Sequence, residues 1–572
     1  MADLTPKQTC MLRKSAMWRE RSSWIKRYQD ISDFLLPYSG RFFATDRNRG
    51  DRTFNSIYDE TATFALDILT AGLMAGMTSP ARPWFRLATP DKELMEADEV
   101  RWWLHNVTEL MRDIFAKSNT YMSLHTLYEE LGAFATGVTI IEDDFDTVIH
   151  HTVLTAGEYA VATNDKGRVD TLAREFDMTV MQIVQKFVRQ PDGSMDWSVV
   201  SPAVKNAWDL NRNLDAWMPV IHMIYPREDR DIRKRDSKNM PFASCYFEPG
   251  SDATGERFLR ESGYKRFPAL APRWHARGGD IYGNGPSFRA MGSIKQLQQE
   301  QLRKGQAIDY QTKPPIQIPA ERRNSTIAHL PGGVSYIPMN GQSGGARALF
   351  EVNLNMQHLL ADIQDVRGRI NKSFYADLFL MISQDNRATP ATATEIAERH
   401  EEKLLMLGPV LERLHNELLS PKIDITFARI VEAGILPPPP RQLQGVDLKV
   451  EFVSTLAQAQ KMVGLGSLDR MIGTVAQIAA GSQDLSVWDK IDKDQAIDRY
   501  ADMLGVDPSV ILADEKVVII RNERAQAMQA QQQAAMMPAA AAATKDLAAA
   551  DTSGQNALTD ILRQVQGYNA TV

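Results

Sequence analysis

A glycine-rich stretch, GGDIYGNGPSF at residues 278–288, contains the residue types with which phosphate-binding loops hold their ligand. Its spacing departs from both common templates. A dinucleotide-binding loop would need a glycine where Phe288 stands, and a phosphate loop would need a Lys-Ser or Lys-Thr pair that does not follow. Proline favours the first position of a helix. We therefore interpret the stretch as a structural turn that leads into a helix at Pro286.

Two further features could bind a metal ion. The acidic run EDDFD at residues 142–146 offers hard oxygen ligands, but it lacks the central glycine and the distal glutamate of a calcium-binding loop. We interpret it as the solvated end of a strand. His150 and His151 are adjacent, so in a strand their side chains point to opposite faces and do not converge on one ion. No metal site is predicted.

Two cysteines, Cys10 and Cys245, are too few for a disulfide framework or a four-cysteine zinc site, and they indicate folding in a reducing cytoplasm. The chain contains no His-Glu-x-x-His motif, and neither cysteine lies in the context of a catalytic nucleophile. We therefore expect a protein that is not an enzyme and that uses no cofactor.

The composition excludes several classes of protein. Of the 572 residues, 44% are hydrophobic and 24% are charged, which is typical of a folded chain with three or four packed regions. The charged N-terminus does not resemble a signal peptide. The most apolar window, 62–77, is interrupted by Asp67 and is too short to cross a bilayer, so we expect no membrane insertion.

The net charge argues against tight binding of nucleic acid. The formal charge is −7 and the pI is about 5.9, whereas proteins that grip DNA neutralise many phosphates with a basic surface. A basic cluster at residues 227–235 is interleaved with acidic residues that cancel most of its long-range field, and we interpret it as a solvated loop. The charge remains compatible with a protein past which DNA slides.

The N-terminal half combines helices with strands. Thr5 fits the N-cap of a long helix with Pro6 at its first position, and Pro37 ends the apolar periodicity. Periodic apolar residues predict three further helices, over 62–77, 100–117 and 124–134. Short β-branched and aromatic runs between residues 138 and 272 predict strands. The fold class is therefore α+β and mainly helical.

Two long helices flank a β-rich insert in the second half. Pro286 begins a helix that ends before Pro314, and a third helix, with Ile363 and Leu378 on one apolar face, runs to residue 380. The residues between these helices, 313–350, hold five prolines and five glycines, so they cannot be helical for long. We expect a compact β-rich insert.

A polar loop at 381–390 then leads to a leucine-rich helix over 391–420. Gly408 and Pro409 predict a kink in this helix, and Pro421 is expected to end it. The run Pro437–Pro440 predicts an extended spacer, after which helices alternate with turns to about residue 523. The Ala/Gln-rich tail, 525–572, offers little large apolar surface.

Four blocks together resemble one family. They are FATGVTIIEDD at 134–144, RWHARGGDIYGNGPSFRAMGSIKQLQQEQLRKGQ at 273–306, ATATEIAERHEEKLLMLGPVLERLHNELLSPKID at 391–424 and FVSTLAQAQK at 452–461. In their order and spacing the chain resembles the head-to-tail connector (portal) proteins of podoviruses, the bacteriophages with short tails. The resemblance extends from the first helix to about residue 520.

The resemblance implies a ring, usually a dodecamer, whose wing, stem, clip and crown regions surround a central channel. The two helices around the β insert fit a stem pair that holds a clip. The regions it implies are a wing at 1–285 together with the long kinked helix 391–420, a stem at 286–312 and 351–380, a clip at 313–350, a tunnel loop at 381–390, a crown at 421–524 and a C-terminal tail at 525–572 that could form a helical barrel.

The resemblance also implies contact with double-stranded DNA in the channel. In a symmetric ring, each inward-facing cation becomes a circle of positive charge that can steady the phosphate backbone without reading bases. The candidates on the stem and tunnel loop are Lys295, Arg303, Lys304, Lys372 and Arg387, with Asp385 offsetting the charge of Arg387. The alternative is that these cations form salt bridges with Asp362 and Asp365 on the neighbouring stem helix.

The implied partners are the other subunits, the terminase motor, the major capsid protein, scaffolding and internal core proteins, and the tail adaptor or nozzle proteins. The implied location is the portal vertex of the virion capsid, after assembly in the host cytoplasm. Two other functions remain open. An oligomeric scaffold or adaptor would share the helices but need no lumen, and a terminase-like nuclease would need the phosphate loop that is missing.

Overall fold

The first helix begins at the cap that the sequence predicts. Helix α1 (Pro6–Phe34) opens with a capping box, in which the Thr5 hydroxyl accepts a hydrogen bond from the backbone N–H of Gln8 at 3.3 Å. The Gln8 side chain in turn accepts one from the N–H of Thr5 at 3.1 Å. The next helices, α2 (Thr61–Met77), α3 (Asp98–Lys117) and α4 (Thr120–Phe134), confirm the three predictions for this part of the chain.

The structure is a computed structural model. It describes residues 5–42, 56–91, 94–95, 97–210, 212–234, 236–250, 258–312, 316–317, 347–348, 356–384, 407–443, 445–453, 465–482, 485–504 and 516–531. The chain divides into two units, Met1–Val463 and Gly464–Val572.

Strands in the first unit confirm the predicted β segments between residues 138 and 272. In chain order the strands are β1 (Phe85–Ala88), β2 (Val138–Asp144), β3 (Val148–Leu154), β4 (Tyr159–Thr163), β5 (Val169–Thr179), β6 (Trp217–Pro226), β7 (Phe242–Phe247), β8 (Arg260–Tyr264), β9 (Ala269–Leu270), β10 (Ile316–Gln317), β11 (Arg347–Ala348) and β12 (Lys449–Phe452). Short helices, α5 (Val180–Ile183) with the π-helical turn Val184–Val188, and α6 (Pro202–Asp209), lie between β5 and β6, and a 3₁₀ turn, Ser237–Asn239, precedes β7.

Antiparallel pairing organises these strands into sheets. The largest has the order β4-β5-β6-β7-β8, and a second has the order β3-β2-β9. Strand β1 pairs with β12, which brings Phe85 opposite Phe452 and ties the N-terminal helices to residues 449–452. Strand β10 pairs with β11, so the two ends of the β-rich insert lie side by side. The rest of that insert lies outside the described residues.

The helices of the first unit share one apolar core with β1. Leu66 and Leu69 of α2 and Leu127 and Leu131 of α4 are fully buried in it. Gly132 of α4 allows this close packing, because a Cβ there would lie 2.7 Å from a methyl carbon of Leu66. The core continues into the two long helices of the second half, which are thereby fixed to the body of the unit.

Helix α7 (Pro286–Thr312) has the bounds that the sequence predicts, whereas the next helix does not run unbroken to residue 380. It divides into α8 (Met356–Ser373) and α9 (Ala376–Gln384). Tyr375, between them, has a φ of 58°, in the left-handed region that an α-helix cannot contain. Helix α9 also extends into the segment predicted as a loop from residue 381, and that prediction is wrong as far as Gln384.

The prediction that Pro421 ends a helix is also wrong. Residues 407–414 are helical and continue through a π-helical turn, His415–Leu419, into α10 (Ser420–Glu432). Proline lacks the N–H that a helix uses and crowds the preceding turn, but the wider π turn directly before Pro421 shifts the hydrogen-bond register by one residue. The chain passes from this helix through the irregular residues 437–440 to a 3₁₀ turn, Arg441–Leu443.

The second unit is helical in its described residues. It contains α11 (Leu465–Ser482), a 3₁₀ turn, Leu485–Lys490, and α12 (Lys493–Leu504), followed by helical residues 516–531. Arg521 and Asp494 form an ion pair at 2.6 Å that joins the last helical segment to α12. The remainder of the Ala/Gln-rich tail lies outside the described residues. None of the described helices, in either unit, combines the length and the apolar character that a membrane crossing requires.

Candidate functional site

Helices α7 and α8, the predicted stem pair, pack against each other through apolar side chains. Ile294 and Leu297 of α7 are fully buried, as are Val366 and Ile370 of α8. Beyond Gln298 most of α7 is exposed or half-buried, although Ala307 is buried. Large apolar side chains in its C-terminal half are 39–48% exposed: Leu302, Ile308 and Tyr310. The pair is therefore anchored in the core at one end and uncovered at the other.

A polar junction fixes the anchored end of this pair to the start of α2. The side-chain oxygen of Gln298 accepts hydrogen bonds from the backbone N–H groups of Tyr58 and Asp59, at 2.6 and 2.9 Å. The side-chain amide of Gln298 donates to the carbonyl oxygen of Asp59 at 2.9 Å. One side chain of α7 thus satisfies three backbone groups of the segment that leads into α2.

The carboxylate of Asp59 completes the junction. Its Oδ2 accepts from the Gln301 amide at 2.7 Å and from both Nε and Nη2 of Arg367, at 3.1 and 2.7 Å, while its Oδ1 accepts from the backbone N–H of Thr61 at 3.0 Å. Burial alone would raise the pKa of Asp59, but the hydrogen bonds from Thr61 and Arg367 outweigh it and the pKa lies below its ordinary value. A charged Asp59 therefore bridges α2, α7 and α8.

Lys295, a predicted channel residue, is engaged within the chain. Its ammonium lies 2.9 Å from Oδ2 of Asp30 on α1, and it also lies 5.2 Å from the ring centre of Phe34. This pair fastens α7 to α1. Much of the charge of Lys295 is thereby neutralised by Asp30 rather than offered to a ligand.

The other predicted channel residues differ from Lys295. Arg303 and Lys372 are exposed and Lys304 is half-buried. None of the three forms an ion pair within the part of the chain that the structure describes. Asp385 and Arg387 lie outside the described residues, so their positions stay predictions.

The sequence analysis offered the alternative that the candidate cations pair with Asp362 and Asp365. In the structure the partner of Asp365 is a different cation, Arg369. Oδ2 of Asp365 lies 3.1 Å from Nε of Arg369 one turn further along the same helix. The cation that α8 contributes to a buried pair is instead Arg367, whose partner Asp59 lies outside both stem helices. The sequence did not predict this junction, because Asp59 and Gln298 are 239 residues apart and no sequence pattern links them.

Helix α9 packs against α2 through a close contact between Phe379 and Gly72. A Cβ added at Gly72 would lie 2.2 Å from the ring of Phe379, so the ring occupies the space that any other residue at position 72 would need. Phe379 and Leu378 are both buried. The predicted tunnel-loop segment, 381–390, therefore begins within a helix that is fixed in the core.

The structure confirms that the glycine-rich stretch at 278–288 is a turn that leads into a helix. Helix α7 begins at Pro286, and the N–H of Gly283 donates to the Thr136 hydroxyl at 2.8 Å. A Cβ at Gly283 would lie 2.2 Å from the carbonyl oxygen of Ala135, which itself has a φ of 60°. The glycine permits this close approach of two backbones. Another glycine-rich segment, GQSGG at 341–345, matches the pattern Gly-x-Ser-x-Gly that surrounds the serine nucleophile of some hydrolases, and it lies outside the described residues.

Arg273, in the same sequence block, is a buried anchor. Its Nη2 lies 2.6 Å from Oε1 of Glu417, its Nε donates to Oε2 at 3.2 Å, and its Nη2 also donates to the Gly167 carbonyl at 2.8 Å. Arg413 pairs with the same carboxylate at 3.0 Å. Glu417 lies in the π-helical turn, so two of the blocks that carry the family resemblance meet at this ion pair.

The acidic run and the two adjacent histidines lie in or beside strands β2 and β3. The acidic run is the end of β2 and the turn after it. Asp143 pairs with Arg429 at 2.6 Å, and Asp144 accepts a hydrogen bond from the Thr147 hydroxyl. His150 is exposed and His151 is buried, on opposite faces of β3. Among the described residues no group of three or more His, Cys, Asp or Glu side chains is placed to hold a metal ion. The basic cluster is exposed from residue 228 to 234, whereas the side chain of Arg227 is only 9% exposed and pairs with Glu261 at 3.1 Å.

His151 faces a lysine in the interior. Lys422 of α10 is fully buried, its ammonium lies 3.2 Å from Nε2 of His151, and it lies 5.8 Å from the ring centre of Phe115. Burial lowers the pKa of Lys422 to about 7. Burial and the charge of Lys422 lower the pKa of His151 to about 2, so the imidazole is neutral. No sequence pattern indicated this pair.

Comparisons with known proteins agree with the resemblance. The family described as "Bacteriophage head to tail connecting protein" matches residues 7–512. A "Probable portal protein" of Bordetella phage BPP-1 is 54% identical over 569 residues, which cover 99% of this chain and 100% of that protein. A "Portal protein" of Salmonella phage epsilon15 is 44% identical over 559 residues, covering 97% of this chain and 98% of that protein.

A solved structure described as the neck of an empty GTA particle aligns with 75% of this chain and 92% of its own, at 12% identity and a TM-score of 0.31, which is too low to add to the argument. The two phage relatives and the family match confirm the resemblance that the sequence blocks indicated. The chain belongs to the bacteriophage head-to-tail connecting protein family.

Proposed function

We propose that this chain is a portal protein, the subunit of a ring at the capsid vertex through which double-stranded DNA is packaged and ejected and to which the tail is joined. The observation that carries the proposal is the family match over residues 7–512, together with two phage portal relatives aligned over nearly their whole length. Its role is structural rather than enzymatic, and it uses no cofactor.

The proposed stem has its boundaries at 286–312 and 351–380, so it consists of α7, α8 and the first residues of α9. Three features support it. The helices are fixed at one end by the Asp59 junction, they expose apolar side chains at the other end, and they flank an insert whose ends pair as β10 and β11. A second subunit would cover the exposed apolar surface, because a lone helix pair cannot bury both of its faces.

The other regions follow from the same plan. The clip is 313–350, and the tunnel loop is the part of 381–390 that follows α9, which ends at Gln384. The wing is 1–285 with 391–420, the crown is 421–524 and the tail is 525–572. A ring of twelve such chains, the number that the family resemblance implies, carries a formal charge of about −84, which repels DNA at long range. Weak adhesion suits a conduit through which DNA must slide.

Contacts with DNA in this ring would come from cations that have no partner in their own subunit. Arg303, Lys304 and Lys372 meet that condition among the described residues, whereas Lys295 is paired with Asp30. Arg387 on the tunnel loop, offset by Asp385, would add a further circle of charge. These side chains would meet phosphates and so would not select a sequence.

The proposed partners are the terminase motor and the tail adaptor or nozzle proteins at the clip, and the major capsid protein with scaffolding and internal core proteins around the wing. The proposed setting is the portal vertex of the virion after assembly in the host cytoplasm. Loops carried on a rigid scaffold commonly bind partners, and the clip is such an insert between two anchored helices.

Charge reversal on α7 tests the proposal. Arg303→Glu should leave ring assembly unchanged and reduce the amount of DNA packaged or retained, because it places a circle of negative charge near the phosphates. The matched control is Lys295→Gln on the same helix, which removes the pair with Asp30 and should lower stability without a specific effect on DNA. If Arg303→Glu particles packaged and retained DNA as the unmodified particles do, Arg303 would not line the channel.

A further inference from the structure

The fold brings the chain's two cysteines together, although 234 residues separate them in the sequence. Cys10 lies in the second turn of α1 and Cys245 in β7. Both thiols contact the hydroxyl of Tyr225 on β6, with Sγ of Cys10 at 3.6 Å and Sγ of Cys245 at 4.0 Å. Both cysteines are buried and neither is bonded to another cysteine.

The two thiols sit between α1 and the five-stranded sheet. The apolar cluster around them joins Met17 of α1 to Ile221 and Met223 of β6. Outside this cluster, Lys14 of α1 pairs with Glu175 of β5, so the helix already lies along the sheet. A covalent bond between the thiols would therefore join two elements that are packed against each other in the native fold.

Electrostatic interactions shift the pKa values of the two thiols in opposite directions. Hydrogen bonding with the Cys245 thiol lowers the pKa of Cys10 to about 7, against the opposing effect of burial, and the nearby Arg13 guanidinium lowers it further. Hydrogen bonding with Cys10 and burial raise the pKa of Cys245. Of the two thiols, Cys10 therefore has the lower pKa and loses its proton first.

We propose that Cys10 and Cys245 are a site of oxidative modification, where a peroxide converts the pair into an intrachain disulfide that fastens α1 to the five-stranded sheet. A peroxide is the chemical class that fits, because both sulfurs are buried and only a small oxidant can reach them without displacing the helix. In a reducing compartment the thiols stay free, and the bond forms after exposure to an oxidising medium.

The reaction balances in two steps. The Cys10 thiolate attacks one oxygen of hydrogen peroxide, the O–O bond breaks, and Cys10 becomes a sulfenic acid as hydroxide leaves. The sulfur of Cys245 then attacks Sγ of Cys10, the S–O bond breaks, and the proton of Cys245 leaves with the hydroxyl group as water. The two sulfurs have lost two electrons in total, and the peroxide has been reduced to two equivalents of water once protons are counted.

The test uses the full-length protein treated with hydrogen peroxide, denatured in an alkylating reagent without reductant, digested and analysed by mass spectrometry. We expect loss of both free thiols and one linked peptide pair that contains Cys10 and Cys245 of the same chain, and a dithiol reductant should restore both thiols. Alkylation of both cysteines after treatment would overturn the proposal, as would covalent dimers on a non-reducing gel.

Two variants separate the roles of the sulfurs. In Cys245→Ala, Cys10 should stop at the sulfenic acid, which a dimedone adduct detects, and in Cys10→Ala the Cys245 thiol should stay reduced. If Cys245 were instead oxidised in the absence of Cys10, the assignment of Cys10 as the attacking thiolate would be wrong. The wild-type peptide map decides the disulfide itself even if a variant fails to fold.

Discussion

Replacing Asp59 with asparagine should loosen the junction between α2 and the helices α7 and α8. The substitution keeps the shape of the side chain but removes its charge and turns one acceptor oxygen into an NH₂ group. Oδ1 accepts from Thr61 and Oδ2 accepts from Gln301 and Arg367, so in either orientation the new NH₂ group faces donors. Arg367 also loses its counter-charge.

The burial of the two partners sets the size of the effect. Removing one partner of a buried ion pair costs about 3–5 kcal/mol. The Asp59 side chain is only 3% exposed, but that of Arg367 is 36% exposed, so water replaces part of the lost interaction. We expect a cost of about 2 kcal/mol for opening the junction.

Hydrogen exchange measures this cost locally. The N–H groups of Tyr58 and Asp59 are bonded to Gln298, so they exchange only when the junction opens. A loss of about 2 kcal/mol corresponds to exchange about 30-fold faster at these two amides.

The matched control is Asp365→Asn. It removes an ion pair with Arg369 that is also on α8 but is 48% and 69% exposed, and such pairs contribute about 0.5 kcal/mol or less. If Asp59→Asn accelerated exchange no more than Asp365→Asn, the junction would not hold the stem pair and the reasoning would be refuted.

Three further changes test other parts of the account. Burial lowers the pKa of Lys422 to about 7, so the unfolded chain binds more protons than the folded chain between pH ~7 and ~10.4, and stability rises with pH across that window. Lys422→Met should therefore raise the thermal midpoint at pH 7 and remove the rise toward pH 10, and an unchanged pH profile would contradict the buried cation. Gly72→Ala forces a methyl group against the ring of Phe379 and should destabilise by about 1–3 kcal/mol in chemical denaturation, with Phe379→Leu restoring part of the loss. Deletion of residues 313–350 should abolish pull-down of the terminase motor and the tail adaptor while rings still form, and retained binding of both would show that the clip is not their docking site.

Local signals in the sequence predicted the helices well. The Thr5 cap and Pro6 lie at the start of α1, and Pro286 lies at the start of α7, because capping and the fixed φ of proline act within a few residues. The same is true of the structural turn before Pro286, where the missing phosphate-loop residues were decisive. These features depend on neighbours in the sequence, which periodicity and spacing can detect.

The sequence patterns did not predict two places where the backbone departs from local preferences. Tyr375 adopts a left-handed conformation between α8 and α9. Tyrosine rarely adopts this conformation, so its presence in the sequence does not predict a break in the helix. Pro421 looked like a helix end because proline normally breaks the hydrogen-bond ladder, yet a π turn precedes it and the helix continues. In both places tertiary packing overrides the local preference.

The contacts that hold the candidate site are long-range and polar, and composition does not reveal them. Asp59 and Arg367 are 308 residues apart, and Arg273 and Glu417 are 144 residues apart. The same applies to Cys10 and Cys245, whose proximity the count of cysteines does not reveal. The family resemblance indicated the family, whereas only the structure identified the residues that fix α7 and α8 to the core.

Electron microscopy of the purified full-length protein, with its mass measured in solution, tests the central claim most directly. The account predicts closed rings with an axial opening wide enough for a DNA duplex, since the exposed apolar side chains of α7 need a neighbouring subunit. A small change in subunit number would be consistent with the account. Monomers alone at micromolar concentration, or oligomers without an axial opening, would contradict it.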